Sequence, residues 1–259
     1  MKRKIFLDIE TLPPAEEVQD ALAHEICLAQ APKKELALTG ELDELNVQQF
    51  RELALHGEHG RVLAIGMLVE EDSRVVHHGL LGRERATGKF HLDEVQTLKA
   101  FWHLVEGFNV NRDLFIGHNI MDFDLPFLIK RSVIHRVKPS ITLSFRRYQR
   151  QPIFDTMWEW SCWRHRIKLH DLAVALQINS SKQEGIDGSR IYDAFLNDRH
   201  SDIALYCMRD VECAREAYYR LEFLEAPALV PYASKVKDAP YPLPLDQDIH
   251  PILLPVSVA

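Results

Sequence analysis

A chain of 259 residues, 46% of them hydrophobic, is long enough for one large domain or two small ones and can fill a core, which argues against a disordered protein. The net charge of −7 by itself argues against a polyanionic partner, and no run approaches the roughly 20 apolar residues that crossing a membrane takes. Cys27, Cys162, Cys207 and Cys213 lack zinc-site or redox-pair spacing, so free thiols in a reducing compartment are expected.

Lys2-Arg3-Lys4 before an apolar run imitates a secretion signal, but Asp8 and Glu10 interrupt that run too early. A soluble cytoplasmic protein is the expectation. Within Lys4 to Thr11 (KIFLDIET), Ile5, Leu7 and Ile9 alternate with Phe6, Asp8 and Glu10. That period is a strand, in which residues two apart share a face. Asp8 and Glu10 thus point the same way, close enough to hold one ion. Paired bare carboxylates repel, more so when buried, and a hard divalent cation with oxygen ligands resolves the conflict. A solvated polar face on an edge strand has the same pattern, so this motif alone leaves both readings open.

Pro13-Pro14 stops the strand, and residues 15–55 read as a helical insert. Val18, Leu22 and Ile26 stand at helical spacing, Leu42, Leu45 and Phe50 more loosely, with Pro32 and Gly40 as breaks. Placed directly after the carboxylate strand, the insert is positioned to wall a cleft. Arg61 to Glu70 and Arg74 to Leu81 predict two strands around a turn at Glu71-Asp72-Ser73, and Gly79 to Gly88 a connection. Leu92 to Phe108 predicts an amphipathic helix that buries Val95, Leu98, Phe101, Trp102 and Val105. Leu114-Phe115-Ile116-Gly117 is wholly apolar, as a central strand of a covered sheet would be. A helix between strands predicts a parallel crossover, and the whole reads as a mixed α/β sheet in three layers.

Past that strand, Leu125 onward has helical spacing, and Pro126 is tolerated in a first turn. Asp124 therefore lies at a helix start beyond a strand end, where α/β sheets place ligands. Asp is also a favoured N-cap, with Asp122 competing for that role, and spacing does not decide whether Asp124 caps or binds. His118 is expected to pack or turn.

From Lys130 to Lys168 ten Lys or Arg stand against two acids, Asp155 and Glu159, so this stretch is +8 and the remainder −15. Local charge decides where a polyanion docks. Arg146, Arg147, Tyr148 and Arg150, then Trp158, Trp160, Trp163, Arg164 and Arg166, mix cations with rings, a combination suited to single strands. A solubilising face over core tryptophans is the plainer alternative.

Ile153 to Met157 predicts a short strand, and Leu169 onward a helix capped by Asp171. Ser180 to Ser189 is a loop with two glycines but without a phosphate-loop pattern, in which Lys182 either touches a phosphate or faces solvent. Ser201 to Leu221 predicts a helix capped by Ser201, with Ala204, Cys207, Val211, Ala214 and Tyr218 on its apolar face. Tyr206 and Asp210, four apart, stack at the rim of that face, where a helix meets a cleft or plain solvent. Seven of thirteen prolines fall between Pro227 and Pro255, which predicts an extended tail over 226–259 after a domain at 1–225.

Three stretches together carry a pattern. Asp8-Ile9-Glu10-Thr11 resembles the first motif of the 3′–5′ exonucleases of the DEDD superfamily, which have an RNase H-like fold. Asn119-x-x-x-Phe123-Asp124-x-Pro126 resembles their second motif as it stands in the exonuclease domains of family B DNA polymerases. Tyr206-x-x-x-Asp210 matches the third in its tyrosine subtype; the histidine subtype would need His where Leu205 stands. The likeness spans roughly residues 4 to 221 and points to stand-alone exonucleases similar to the family B proofreading domain.

The resemblance implies metal ligands at Asp8, Glu10, Asp124 and Asp210, with Tyr206 orienting the attacking water. It implies two divalent cations, Mg²⁺ or Mn²⁺, which in such chemistry stand ~3.5–4 Å apart and stabilise attacking and leaving oxygens. Four acids would overcharge an empty site, so raised carboxylate pKa values are expected there. A phenol with a reference pKa of about 10 is a poor base near neutrality, which leaves Tyr206 a positioning role. Thr11, through its backbone, and Asn119 would hold the terminal nucleotide, and the basic stretch, with Arg146 and Arg147, would track a single strand, expected to be DNA with a free 3′ end. Asp155 and Asp171 lie outside the motifs and are read as structural. A polymerase or repair partner would act in trans, and oligomeric state stays open. Two rivals remain: a catalytically silent RNase H-like module that binds nucleic acid or a partner, and a haloacid-dehalogenase-type phosphatase. The second would need an Asp where Glu10 stands, plus a downstream lysine and paired aspartates.

Overall fold

The computed structural model describes residues 2–15, 41–84, 86–180 and 188–237, with side chains for all of these except 41–46 and 235–237. In chain order the elements are β1 (Arg3–Leu12), α1 (Glu41–Glu52), β2 (Arg61–Glu71), β3 (Arg74–Leu81), α2 (Glu94–Leu104), β4 (Leu114–Gly117), α3 (Asp124–Ile134), β5 (Ile153–Asp155), α4 (Thr156–Ser161), α5 (Leu169–Leu176), α6 (Ile191–Leu196), α7 (His200–Leu221) and α8 (Tyr232–Lys237). Val18, Leu22, Ile26, Cys27, Pro32 and Lys182 lie outside the described residues; α1 is the described part of the helical insert.

The five strands form one mixed sheet in the order β3-β2-β1-β4-β5. β1 pairs antiparallel with β2 and parallel with β4, so the crossover through α2 is parallel as predicted. The β2–β3 turn places Asp72 and Ser73 at φ 46° and 67°, the left-handed pair that a tight hairpin with matched strand twist requires.

β1 divides the core by parity. Ile5, Leu7 and Ile9 face one cluster, with Leu98, Phe101 and Trp102 of α2 and Leu125 and Leu128 of α3. Phe6 faces the other, with Cys207, Met208, Val211 and Tyr218 of α7. Sheet and two helical faces make the three layers. Because residues two apart share a face, Asp8 and Glu10 point toward α7.

Several end-residue expectations are corrected. Asp171 and Ser201 do not cap: α5 and α7 are preceded by Lys168 and Arg199, neither with a side-chain cap bond. Asp93 caps α2, accepting from the Gln96 amide. The described start of the tail is without helix or strand over 226–231 and then packs on the body. Arg215 Nη2 donates to the Pro227 carbonyl at 2.7 Å and the Tyr232 amide donates to Glu212 at 2.6 Å, which docks α8 on α7. Arg215 is itself buried in an ion pair with Glu70 at 2.5 Å. Residues beyond 237 lie outside the described part. Cys162, Cys207 and Cys213 are free thiols. Among the described residues, no helix is long and apolar enough to cross a membrane.

Candidate metal centre

The β1–β4 ladder covers only Lys4 to Phe6, because β4 ends and the chain turns away through Asn119 into α3. The edge of β1 beyond Phe6 is thereby left open on that side. Asp124, first residue of α3, fills part of the gap: its Oδ1 accepts the Ile9 amide hydrogen at 3.0 Å. Asp124 is no cap, since the N-cap position is Phe123, which makes no side-chain cap bond. Asp122 does not cap either; it accepts from Arg147 and from Trp158 Nε1.

On the α7 side, Asp8 lies opposite Gly66 of β2. A Cβ on Gly66 would sit 2.7 Å from Cys207 Sγ, so the glycine makes room for the thiol. Cys207 Sγ points at the Asp8 carbonyl at 3.8 Å, and ligand atoms of Asp8, Glu10 and Cys207 all lie within 4.8 Å of one another. Tyr206 and Asp210 come from the same helix and are hydrogen-bonded to each other. Glu10 is 6% exposed, Asp124 3% and Asp210 9%, so these acids are out of bulk water.

The acids are near enough to feel one another's charge. Burial, followed by the charges of Asp210, Asp124 and Glu10, raises Asp8 well above the usual carboxylate range. Burial and then Asp210 and Asp124 do the same to Glu10. Asp124 is raised to about 7, chiefly by burial, although hydrogen bonds from its own amide and that of Ile9 pull it down. The Tyr206 phenol is pushed above its ordinary range by burial and then by Asp210, Glu10 and Asp8. Glu10 Oε1 is buried without any hydrogen-bond partner, an expensive state for a carboxylate oxygen. Carboxylate oxygens with an orphaned inner atom fit a hard divalent cation, although the ligand atoms within 4.8 Å of one another are those of Asp8, Glu10 and the Cys207 thiol, without Asp124 or Asp210.

Asp8, Glu10, Asp124, Tyr206 and Asp210 thus come from three elements and interact electrostatically, with Asp8 and Glu10 the pair of acids whose ligand atoms cluster within 4.8 Å. Thr11 follows immediately, at an irregularity in the β1–β2 ladder. Asn119 stands at φ 64°, its amide bound to Asp155 Oδ1 at 3.0 Å, with its own buried Oδ1 unpartnered. Asp155 is structural as expected, accepting from the Asn119, Met121, Met157 and Trp158 amides. His118 is a packing residue: its ring contacts Thr156 and the Ile167 carbonyl, and burial lowers its pKa to about 4.

The basic stretch is less free than its charge suggests. Arg131 is buried against Glu94, Lys130 pairs with Glu58, Arg147 with Asp122, and Arg150 with Glu159 and Glu222. Arg146 is exposed. From the sequence alone Cys207 is a residue of an apolar helix face. The one sequence signal that could have marked a close approach there is Gly66, a glycine inside an otherwise apolar strand.

A family model described as "Predicted 3'-5' exonuclease related to the exonuclease domain of PolB" matches residues 49–227, a span that holds Asp124, Tyr206 and Asp210 but not Asp8 and Glu10. No curated protein matches the chain. Among solved structures, the family B DNA polymerase from the hyperthermophilic archaeon Pyrobaculum calidifontis is similar, with a TM-score of 0.53 and 14% identity over 85% of this chain. The chain spans only 24% of that polymerase, and at this identity the likeness speaks to fold: the RNase H-like α/β architecture of a polymerase exonuclease domain.

Proposed function

We propose that this chain, which belongs to the family of predicted 3′–5′ exonucleases related to the exonuclease domain of PolB, removes nucleotides from the 3′ ends of single-stranded DNA by a two-metal-ion reaction of the tyrosine-subtype DEDD kind. The observation that carries this reading is the mutual electrostatic interaction of Asp8, Glu10, Asp124 and Asp210, together with a buried Glu10 Oε1 that lacks a partner. Bound Mg²⁺ or Mn²⁺ would activate water and neutralise charge developing on phosphate oxygens.

The chain's own residues divide the remaining work. The four acids would be the metal ligands. Tyr206, its proton held more firmly than in free phenol, positions the attacking water by hydrogen bonding and does not abstract its proton. Asn119, through its unpartnered buried Oδ1, and Thr11, through its backbone, hold the terminal nucleotide. Arg146, Arg147 and Lys182 contact the phosphates behind it, and Arg147 must release Asp122 to do so. The protein acts in the cytoplasm, with a polymerase or repair factor as a partner.

The test is incubation of purified protein with a 5′-labelled single strand and Mg²⁺ or Mn²⁺. A ladder descending one nucleotide at a time, abolished by EDTA and by Asp8→Ala, is the expected result. Retention of full activity in Asp8→Ala would remove the site assignment. Binding without cleavage under either metal would favour the silent module.

A further inference from the structure

We propose that Tyr148, Trp163 and Trp158 form a ledge on which bases of a single-stranded nucleic acid stack as the strand approaches the acid pocket. The inference rests on the nuclease reading for the strand's destination only, since stacking is measurable without cleavage.

Tyr148 comes from a turn, Trp158 from α4 and Trp163 from the turn that follows α4, and the three rings are in contact. Trp163 lies parallel to Trp158 with ring centroids 5.6 Å apart, and Tyr148 leans on Trp163 at 5.1 Å. Left-handed backbone at Tyr148, Cys162 and Trp163, with φ of 63°, 51° and 62°, accompanies this arrangement. Bulky residues rarely adopt that conformation. The inner end of the pile is locked: Trp158 is buried, its Nε1 donates to Asp122 Oδ2 at 3.2 Å, and the Arg147 guanidinium lies 5.5 Å from its ring centroid. The outer end is open, with Tyr148 76% exposed. A stacked tryptophan pair with an exposed tyrosine tilted at 53° on its outer member offers a surface for another flat ring.

Charge identifies the occupant. Arg146 and Arg164 are exposed beside the outer rings in the chain and have no acidic partner among the described residues. Arg166 reaches Asp122 only at 3.9 Å. Free guanidinium groups next to an open aromatic face fit a polymer that offers phosphates and bases together. A duplex buries its base faces in its own stack, which leaves a single strand. Asp122 ties the ledge to the pocket: it holds Trp158 and Arg147 and precedes Asp124 by two residues.

The test is fluorescence-anisotropy binding in EDTA, so that no cleavage occurs, with three 5′-labelled probes: oligothymidine, the same backbone with abasic sites, and a duplex. The proteins are wild type, Tyr148→Ala and Tyr148→Phe. Expected is tighter binding of oligothymidine than of the abasic strand or the duplex. Tyr148→Ala should weaken oligothymidine binding by about 5-fold or more, the range for losing one base–aromatic stack. It should leave the abasic strand unchanged, and Tyr148→Phe should restore binding. An equal loss on both single strands, no loss on either, or a duplex bound as tightly as oligothymidine would overturn the ledge. A base-dependent loss in a protein that yields no ladder with metal would sink the nuclease reading and leave the ledge standing. A ladder with no base-dependent loss would do the reverse.

Discussion

Asp124→Asn should make the metal-free protein more stable at alkaline pH. In the fold the Asp124 carboxyl is raised from 3.8 to about 7, with burial the foremost cause. A carboxyl whose folded pKa lies above its unfolded one binds more protons in the folded state. Its cost is absent below the unfolded pKa, grows as pH rises through the interval, and is complete above the folded pKa. About three pH units at ~1.36 kcal/mol each give a penalty on the order of 4 kcal/mol. Asparagine keeps an oxygen to accept the Ile9 amide, now at 3.0 Å, without the charge. Urea unfolding in EDTA should therefore show the variant and wild type nearly equal near pH 4. The variant should be ahead by an amount on that order near pH 8. Adding Mg²⁺ at pH 8 should reverse the sign of the effect. Wild type gains by mass action on a folded-state site, and the variant, short of one ligand, gains less. A gap that does not widen with pH, or an equal gain from Mg²⁺ in both proteins, would refute the claim that Asp124 is a buried charge awaiting a cation.

Two further outcomes follow from single contacts. Tyr206→Phe should lower kcat by about 10-fold, the worth of one hydrogen bond to a charged group, and leave the shape of the pH–rate profile unchanged. Loss of an alkaline limb in the variant would mean that the phenol transfers a proton. Gly66→Ala should reduce stability by about 1–3 kcal/mol, because its Cβ would meet Cys207 Sγ at 2.7 Å and Val211 Cγ2 at 3.0 Å. Cys207→Ala in the same protein should recover most of that loss; an undiminished loss in the double variant would show that the thiol is not what the glycine accommodates.

The strands and the larger helices were legible because each carries its own period. The alternation at Ile5, Leu7 and Ile9 gave β1, and the spacing of Leu98, Phe101 and Trp102 gave the buried stripe of α2. Caps were less legible. Asp171 and Ser201 are the right residue types near the right places, yet α5 and α7 begin without a side-chain cap, and tertiary packing carries them. Arg131 and Arg146 look alike in a charge count; the first is buried against Glu94 and the second stands in solvent. The left-handed residues that pile Trp163 and Tyr148 together run against their own backbone preferences, so local propensity does not reveal them.

Parity along a strand and the four-residue repeat of a helix are properties of covalent geometry, so the sequence alone determined that Asp8 shares a face with Glu10 and that Tyr206 lies over Asp210. Whether Asp124 capped its helix or reached the open edge of β1 was settled only when β4 ended at Gly117 and left the Ile9 amide for it to bind. The same holds for Cys207 against Gly66 and for the arginines taken up by acids. Each of these depends on which groups distant in the chain are brought within a few ångströms, and local spacing carries no record of that.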